Sequence, residues 1–251
     1  MRESIGGTIS FTVILVAWEI VGRSLPVYFL PPPSLIAVTA YQMILSGELA
    51  RNLMASLQLY VFGYLLGIGT AILIGLLIGR IKKAELILGP LIDIFRPLPG
   101  LGVYPLAILL FGIGFASQVA VIWWGVFFAM VINVVEGCRN VDPILVRAGQ
   151  SLDANRLQTF IHIVLPSVFP YVIVGLVLSC GYAFHGLVAA EMVGATVGIG
   201  FLVIFWATFY RPEISFVGLF AIMILAIIID RIVNTVAEKT LLKYREAGYK
   251  V

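Results

Sequence analysis

The chain has 251 residues, of which 61% are hydrophobic and only 12% charged, with a net charge of +3 and a mean hydropathy of +1.08. Soluble domains carry about a quarter charged residues, so the composition excludes an ordinary soluble enzyme or binding module and indicates an integral membrane protein. No dense basic run or aromatic-basic interleaving accompanies the positive balance, which argues against a nucleic-acid partner.

Apolar runs approach the roughly 20 residues that cross a hydrocarbon core. They are glycine-rich and do not alternate, so the backbone must satisfy itself as helices, an all-α polytopic fold. In chain order the runs fall at 8–22, 57–79, 101–116, 118–135, 167–190 and 214–233, giving about six transmembrane helices. Trp18 and Glu19 interrupt the end of the first run and no small-residue cleavage site follows, so it reads as an uncleaved span; YFLPPPSL after it reads as a rigid extracytoplasmic turn. In the second run Gly63 and Gly67, then Ala71, Gly75 and Gly79, recur at four-residue spacing, a face that permits close helix approach.

Residues 84–100, AELILGPLIDIFRPLPG, carry Glu85, Asp93, Arg96 and three prolines, and are expected to form an interfacial or packed helix before span three. Trp123 and Trp124 are adjacent and cannot share one helical face, which argues against a two-ring cage. Residues 191–213 form the outer connection between the last two spans, where GIGFLVIFWATFY is suited to a short helix and Trp206, Phe209 and Tyr210 to interfacial anchoring. Cys138 and Cys180 give neither a metal-ligand spacing nor a disulfide framework.

Positive charge chooses the orientation. Arg80, Lys82 and Lys83 follow span two, Arg139, Arg147 and Arg156 lie between spans four and five, and Lys239, Lys243, Arg245 and Lys250 close the chain, against Arg23, Arg51 and Arg211 on the other side. Both termini are therefore expected in the cytoplasm, as is the polar stretch RAGQSLDANRLQTFIHIVLP at 147–166. Glu136 and Asp230 mark cytoplasmic membrane ends, with Arg139 or Arg231 as candidate ion-pair partners.

That polar stretch, with the residues before it, reads as two short helices. Asp142 is an N-cap and Pro143 an N1 residue for the first, which runs to about Leu152; Asp153 is suited both to a left-handed turn and to capping the second. In the second, Leu157, Phe160, Ile161 and Val164 fall on one side and Arg156, Gln158, Thr159 and His162 on the rest. Pro166 and Pro170 are expected to mark where the loop ends and span five begins. Periodicity alone fits either a protein-docking elbow or a loop resting on headgroups.

RAGQSLD at 147–153 followed by IVLP at 163–166 resembles the cytoplasmic E-A-A-x-x-x-G … I-x-L-P loop of the membrane subunits of bacterial binding-protein-dependent ABC importers. FRPLPGLGVYPLAILLFGIG at 95–114, NVVEGCRNVDP at 133–143 and VAAEMVGATVGIGFLV at 188–203 are similar to the branch importing nitrate, sulfonates, taurine and bicarbonate, so the resemblance covers about residues 10–235. Two positions depart from the pattern: Arg147 stands where glutamate is usual, and Asp153 where glycine is usual.

The resemblance implies a type I, MetI-like permease fold with two short cytoplasmic coupling helices, in a single domain spanning 1–251 with a coupling loop at 142–165. It implies a multi-pass location in the bacterial cytoplasmic membrane among lipid. The implied partners are a second permease copy, two ABC ATPase subunits and an extracytoplasmic solute-binding protein. The chain has no GxxxxGK[ST] loop, so no cofactor is expected in it and ATP with Mg belongs to the partner ATPase. By the same resemblance, the ATPase-coupling residues are Arg147, Ala148, Gly149, Ser151, Leu152, Asp153, Ala154, Arg156, Leu157, Phe160, Leu165 and Pro166.

His185 within span five, with Tyr182 three residues earlier, is a pathway candidate, because an imidazole is costly against lipid and offers a hydrogen bond or positive charge to an anion. A satisfied structural histidine is the competing reading. Glu191 at the outer end of span five is expected to make a gating or packing contact; without a nucleophile or a second carboxylate it does not suggest catalysis, and the chain is expected not to be an enzyme. The alternatives to an importer permease are an ATPase-independent secondary transporter or channel, and a membrane scaffold derived from a permease.

Overall fold

The computed structural model describes residues 2–246, with side chains over residues 10–244. Lys250 and the side chain of Arg245 lie outside the described residues. The elements, in order, are α1 (Arg2–Ser24), α2 (Pro33–Leu45), α3 (Glu48–Arg80), α4 (Lys82–Phe95), α5 (Gly100–Phe111), α6 (Phe115–Arg139), α7 (Pro143–Ser151), α8 (Arg156–Thr159), a π-turn (Phe160–Val164), α9 (Leu165–Gly194), α10 (Ile199–Thr208) and α11 (Pro212–Glu246), with no strand among the described residues. Four segments there are long and apolar enough to cross a membrane: Glu48–Arg80, Phe115–Arg139, Arg156–Gly194 and Pro212–Tyr244.

The chain divides into two compact units. One comprises Leu59–Ala190 with Ala226–Val251, and its frame is the small-residue face of α3. A Cβ placed on Gly63, Gly67 or Gly75 would stand 2.5, 2.5 and 2.7 Å from Ile122, Val126 and Val134 of α6, so only glycine lets these backbones approach. The partners advance together, so α3 and α6 run parallel. Gly125 meets Tyr182, Gly137 meets Tyr171 and Gly175 meets Met130, so α6 and α9 run antiparallel. Between them lies a core of Ala71, Met130, Val131, Val134, Val164 and Val168.

Parallel α3 and α6 require the chain to return between them. The return is the α4–α5 pair, bent by 110° at its break, which counts as a span only when its two halves are taken together. The expected third span at 101–116 is thus a helix of only 12 residues, about 18 Å long at 1.5 Å per residue. Pro97 and Pro99 end α4 and open α5, and Gly112 and Gly114, at φ 78° and 140°, end it before Phe115. The expected helix within 84–100 is α4.

The other unit comprises Met1–Gln58 with Glu191–Leu225. Its core is Ile36, Met43, Leu202, Ile214 and Val217, closed by Trp18, whose indole N–H donates to the Pro31 carbonyl at 3.1 Å. The last of the three prolines already begins a helix. Pro33 is the first residue of α2, and the Glu19 carboxylate accepts from the Ser34 backbone N–H (3.0 Å) and hydroxyl (2.7 Å) and from Arg23 (2.6 Å). An anion at a helix N-terminus offsets its unpaired N–H groups, which accounts for Glu19 at the end of an apolar run. The expected short helix in 191–213 is α10, and Arg211 beside it lies over the Trp206 ring at 5.7 Å and pairs with Glu213 at 2.6 Å.

Candidate functional site

The elbow between α6 and α9 is built from local caps. Asp142 accepts from the Ile144 backbone N–H at 2.8 Å and Pro143 follows at N1, so α7 starts where the sequence indicates. Its end is a left-handed residue, Asp153 at φ 57°; the N–H groups of Asp153 and Ala154 return to the Gln150 and Gly149 carbonyls at 3.1 and 3.0 Å.

Asp153 does not cap the next helix. An N-cap needs extended backbone, which a left-handed residue cannot supply, and Asn155 at φ −69°, ψ 170° takes the role. The Asn155 side chain accepts from the Gln158 N–H (2.9 Å), and the Gln158 side chain accepts from the Asn155 N–H (2.8 Å), a reciprocal capping box.

The expected second short helix is not a separate element. Its four-residue turn α8 runs through the π-turn into α9, making one helical segment from Arg156 to Gly194. Pro166 has no N–H and its ring would crowd the His162 carbonyl; the wider π-turn just before it absorbs that conflict. Pro170 similarly leaves the Pro166 carbonyl without an intrahelical donor, and the Tyr244 hydroxyl of α11 donates to it. The prolines therefore do not divide loop from span.

The π-turn also splits the expected apolar stripe. Val164 is fully buried and Phe160 packs on the core, under the Arg80 guanidinium 6.0 Å away, while Leu157 and Ile161 are exposed. Ile144, Leu145 and Leu152 on α7 and its end are exposed too, Leu152 at 83%.

Gly149 is the tight point of the elbow: an added Cβ would lie 2.6 Å from Cδ1 of Ile163. Arg147, Ala148, Ser151, Asp153 and Arg156 are exposed, Ala154 and Pro166 are half-buried, and Leu165 is 41% exposed. Arg147 forms no ion pair among the described residues. Arg139 pairs with Glu85 at 2.7 Å, whereas Glu136 accepts from Asn140, so the expected Glu136–Arg139 pair is not made. Asp230 and Arg231 likewise form no pair among the described residues.

A second polar site lies in the connection between α9 and α11. Glu191 is 1% exposed. Its Oε1 accepts from the Ser56 hydroxyl at 2.5 Å and its Oε2 from the Gly200 N–H at 2.7 Å, while Ser56 Oγ accepts from the Ile199 N–H at 2.8 Å. Asn52 accepts from the Gly198 N–H at 2.8 Å. Together Asn52, Ser56 and Glu191 take up the first N–H groups of α10, a cap assembled from two other helices. Gly198 has φ 138°, and a Cβ there would stand 2.5 Å from Glu191 Oε1.

His185 and Tyr182 are neighbours on α9, their rings edge-on at 6.3 Å. Both are exposed, whereas Ala183, Phe184 and Leu187 beside them are buried. His185 has no hydrogen-bond partner among the described residues of this chain. Trp123 donates to Thr70 at 2.8 Å and Trp124 to the Leu98 carbonyl at 3.1 Å, so the two indoles serve different neighbours. Sequence reading missed Asn52, Ser56 and Tyr244; the one available signal was Asn52 and Ser56 at i, i+4 on the first turns of an apolar helix.

Comparison with known proteins gives a consistent result. The family described as binding-protein-dependent transport system inner membrane component matches residues 67–241. A Bacillus subtilis (strain 168) protein named as an aliphatic sulfonates transport permease, SsuC, is 34% identical over 94% of this chain and 86% of its own length. The taurine transport system permease protein TauC of Escherichia coli (strain K12) is 30% identical over 88% of this chain and 83% of its own. The nitrate import permease protein NrtB of Synechococcus elongatus is 29% identical over 76% and 72%. A crystal structure of an amino acid ABC transporter with histidines superposes with a TM-score of 0.61 at 17% identity, covering 82% of this chain and 97% of that one, which supports the fold.

Proposed function

This chain belongs to the inner membrane components of binding-protein-dependent transport systems and is the permease of an ABC importer, and from that premise we propose that it moves a small polar or anionic solute, of the sulfonate, taurine, nitrate or bicarbonate kind, into the cytoplasm. Residues 1–251 act as one permease domain, and two copies form the pathway. Two ATPase subunits, which hold the ATP and Mg, bear on the loop at 142–165, and a solute-binding protein docks outside. Both termini lie in the cytoplasm.

The observation that carries this reading is the elbow. Antiparallel α6 and α9 are joined by a short, capped connection that exposes Ile144, Leu152 and Leu157, and its last turn is continuous with α9. A displacement imposed there reaches both helices without passing through a flexible linker. Arg147, Ala148, Ser151, Asp153 and Arg156 supply the polar rim of the contact; Gly149, Ala154, Phe160, Leu165 and Pro166 hold its shape. Tyr182 and His185 face the pathway, and Glu191 fixes the outer connection. ATP binding must favour one of two arrangements of this assembly for the coupling to do work.

Copurification of the chain with its ATPase and binding protein in nanodiscs, followed by ATP hydrolysis over a solute panel, tests the reading. Hydrolysis stimulated by one solute with its binding protein is expected, and failure of any ATPase to associate would contradict it. Arg147→Glu addresses the reversed charge: reduced coupling is expected if the ATPase carries the complementary group.

A further inference from the structure

Two cavities of the unit containing α6 share part of their walls and follow one face of that helix. The larger, about 570 Å³, is lined by Arg96, Leu98, Trp124, Phe128, Ile132 and Tyr182 among others. The smaller, about 120 Å³, is lined by Asp93, Arg96, Ile132, Glu136 and Arg139 among others. Arg96 and Ile132 belong to both, so Arg96 stands at their junction.

The backbone explains why an arginine is held there. Arg96 is the first residue past α4, at the 110° break, and Pro97 and Pro99 fix the turn after it. Its nearest carboxylate, Asp93, is 3.9 Å away, at the long limit of an ion pair, and both side chains are at least half exposed, so the contact is loose and does not occupy the guanidinium. The planar five-donor fork therefore remains available to an oxoanion.

No carboxylate lines the larger cavity. Its walls are the Trp124 and Phe128 rings, packed edge to face at 4.9 Å, and Tyr182, whose hydroxyl has no hydrogen-bond partner among the described residues. The smaller cavity contains Asp93 and Glu136, so the larger is the anion-favouring side of the junction. Its volume falls within the range of small-molecule sites, roughly 300–1,000 Å³.

We infer that Arg96, with the Trp124, Phe128 and Tyr182 walls, forms a subsite that holds a monovalent oxoanion in transit. This rests on the reading of the chain as a solute permease and names a residue that meets the solute.

The test uses the full chain in nanodiscs with no ATPase present. Nitrate quenches indole fluorescence on contact, and a chain with Trp18, Trp123 and Trp206 replaced by Phe reports from Trp124. Quenching that saturates, and that methanesulfonate reverses but tetramethylammonium does not, is expected. Arg96→Gln should weaken the saturable component by at least about tenfold, the loss of one charge-assisted hydrogen bond, and Arg96→Lys should retain part of it. If the triple replacement does not fold, the same titration of the four-tryptophan chain against its Arg96→Gln variant serves.

Linear quenching in the Arg96 protein, or saturation undiminished by Arg96→Gln, overturns the subsite. ATP-driven uptake, measured separately on the unaltered chain with its ATPase and binding protein, judges the permease reading, so the two failures are distinguishable.

Discussion

The Ser56 hydroxyl donates to the Glu191 carboxylate across 2.5 Å, and both side chains are buried, at 0% and 1% exposure. Glu191 is 135 residues from Ser56 in sequence, and what brings them together is α10: its first N–H groups need acceptors, and one hydroxyl and one carboxylate supply them. The connection between α9 and α11 is thus held by a polar clamp.

Removing that clamp should be costly. Glu191→Ala leaves the Gly200 N–H without its acceptor and is expected to destabilise the protein by about 2–3 kcal/mol, with Glu191→Gln milder. Gly198→Ala forces a Cβ against the same carboxylate at a backbone angle unfavourable to alanine. The double variant Glu191→Ala with Gly198→Ala should therefore lose less than the sum of the singles, read by thermal unfolding in nanodiscs. Strict additivity would show that the two positions do not share a contact.

The elbow's tight point gives a size-dependent result. The atom an added Cβ meets at Gly149 is the flexible end of Ile163, so Gly149→Ala should be tolerated and Gly149→Leu should cost about 1–3 kcal/mol through overpacking. Ile163→Ala combined with Gly149→Leu should restore part of the loss, measured by unfolding and by ATPase association. No rescue would mean that the elbow is not closed by this pair.

Much of the fold was legible because its signals are local. The four-residue glycine spacing of α3 predicts close approach, and Asp142 before Pro143 fixes the start of α7, because each depends on neighbours within a few turns. The left-handed turn at Asp153 is legible for the same reason, but its own geometry prevents the capping role expected of it, and Asn155 caps instead. The continuity of α8 with α9 was hidden, because Pro166 and Pro170 read as breakers until a π-turn and a tyrosine 78 residues away accommodate them. For the same reason the partners of Glu191 left no pattern in the sequence around it. Which face of α9 carries Tyr182 and His185 likewise emerges only from packing.

Tyr244 gives the elbow an anchor from α11. Tyr244→Phe keeps the ring packed on Phe169, 5.1 Å away, but leaves the Pro166 carbonyl without the donor that Pro170 cannot provide. The expected cost is about 1–3 kcal/mol, with faster amide exchange confined to the first turns of α9. Unchanged exchange there would show that the hydroxyl contributes nothing to the anchor.

ATP-dependent uptake in proteoliposomes tests the elbow as the point where force enters. The permease, ATPase and binding protein are reconstituted with labelled solute, and the unaltered chain is compared with Leu152→Asp combined with Leu157→Asp, two exposed positions whose change leaves the core intact. Uptake by the unaltered chain, and loss of both uptake and bound ATPase in the variant with its unfolding temperature unchanged, is the expected result. Full uptake by a variant that no longer binds the ATPase would contradict the account.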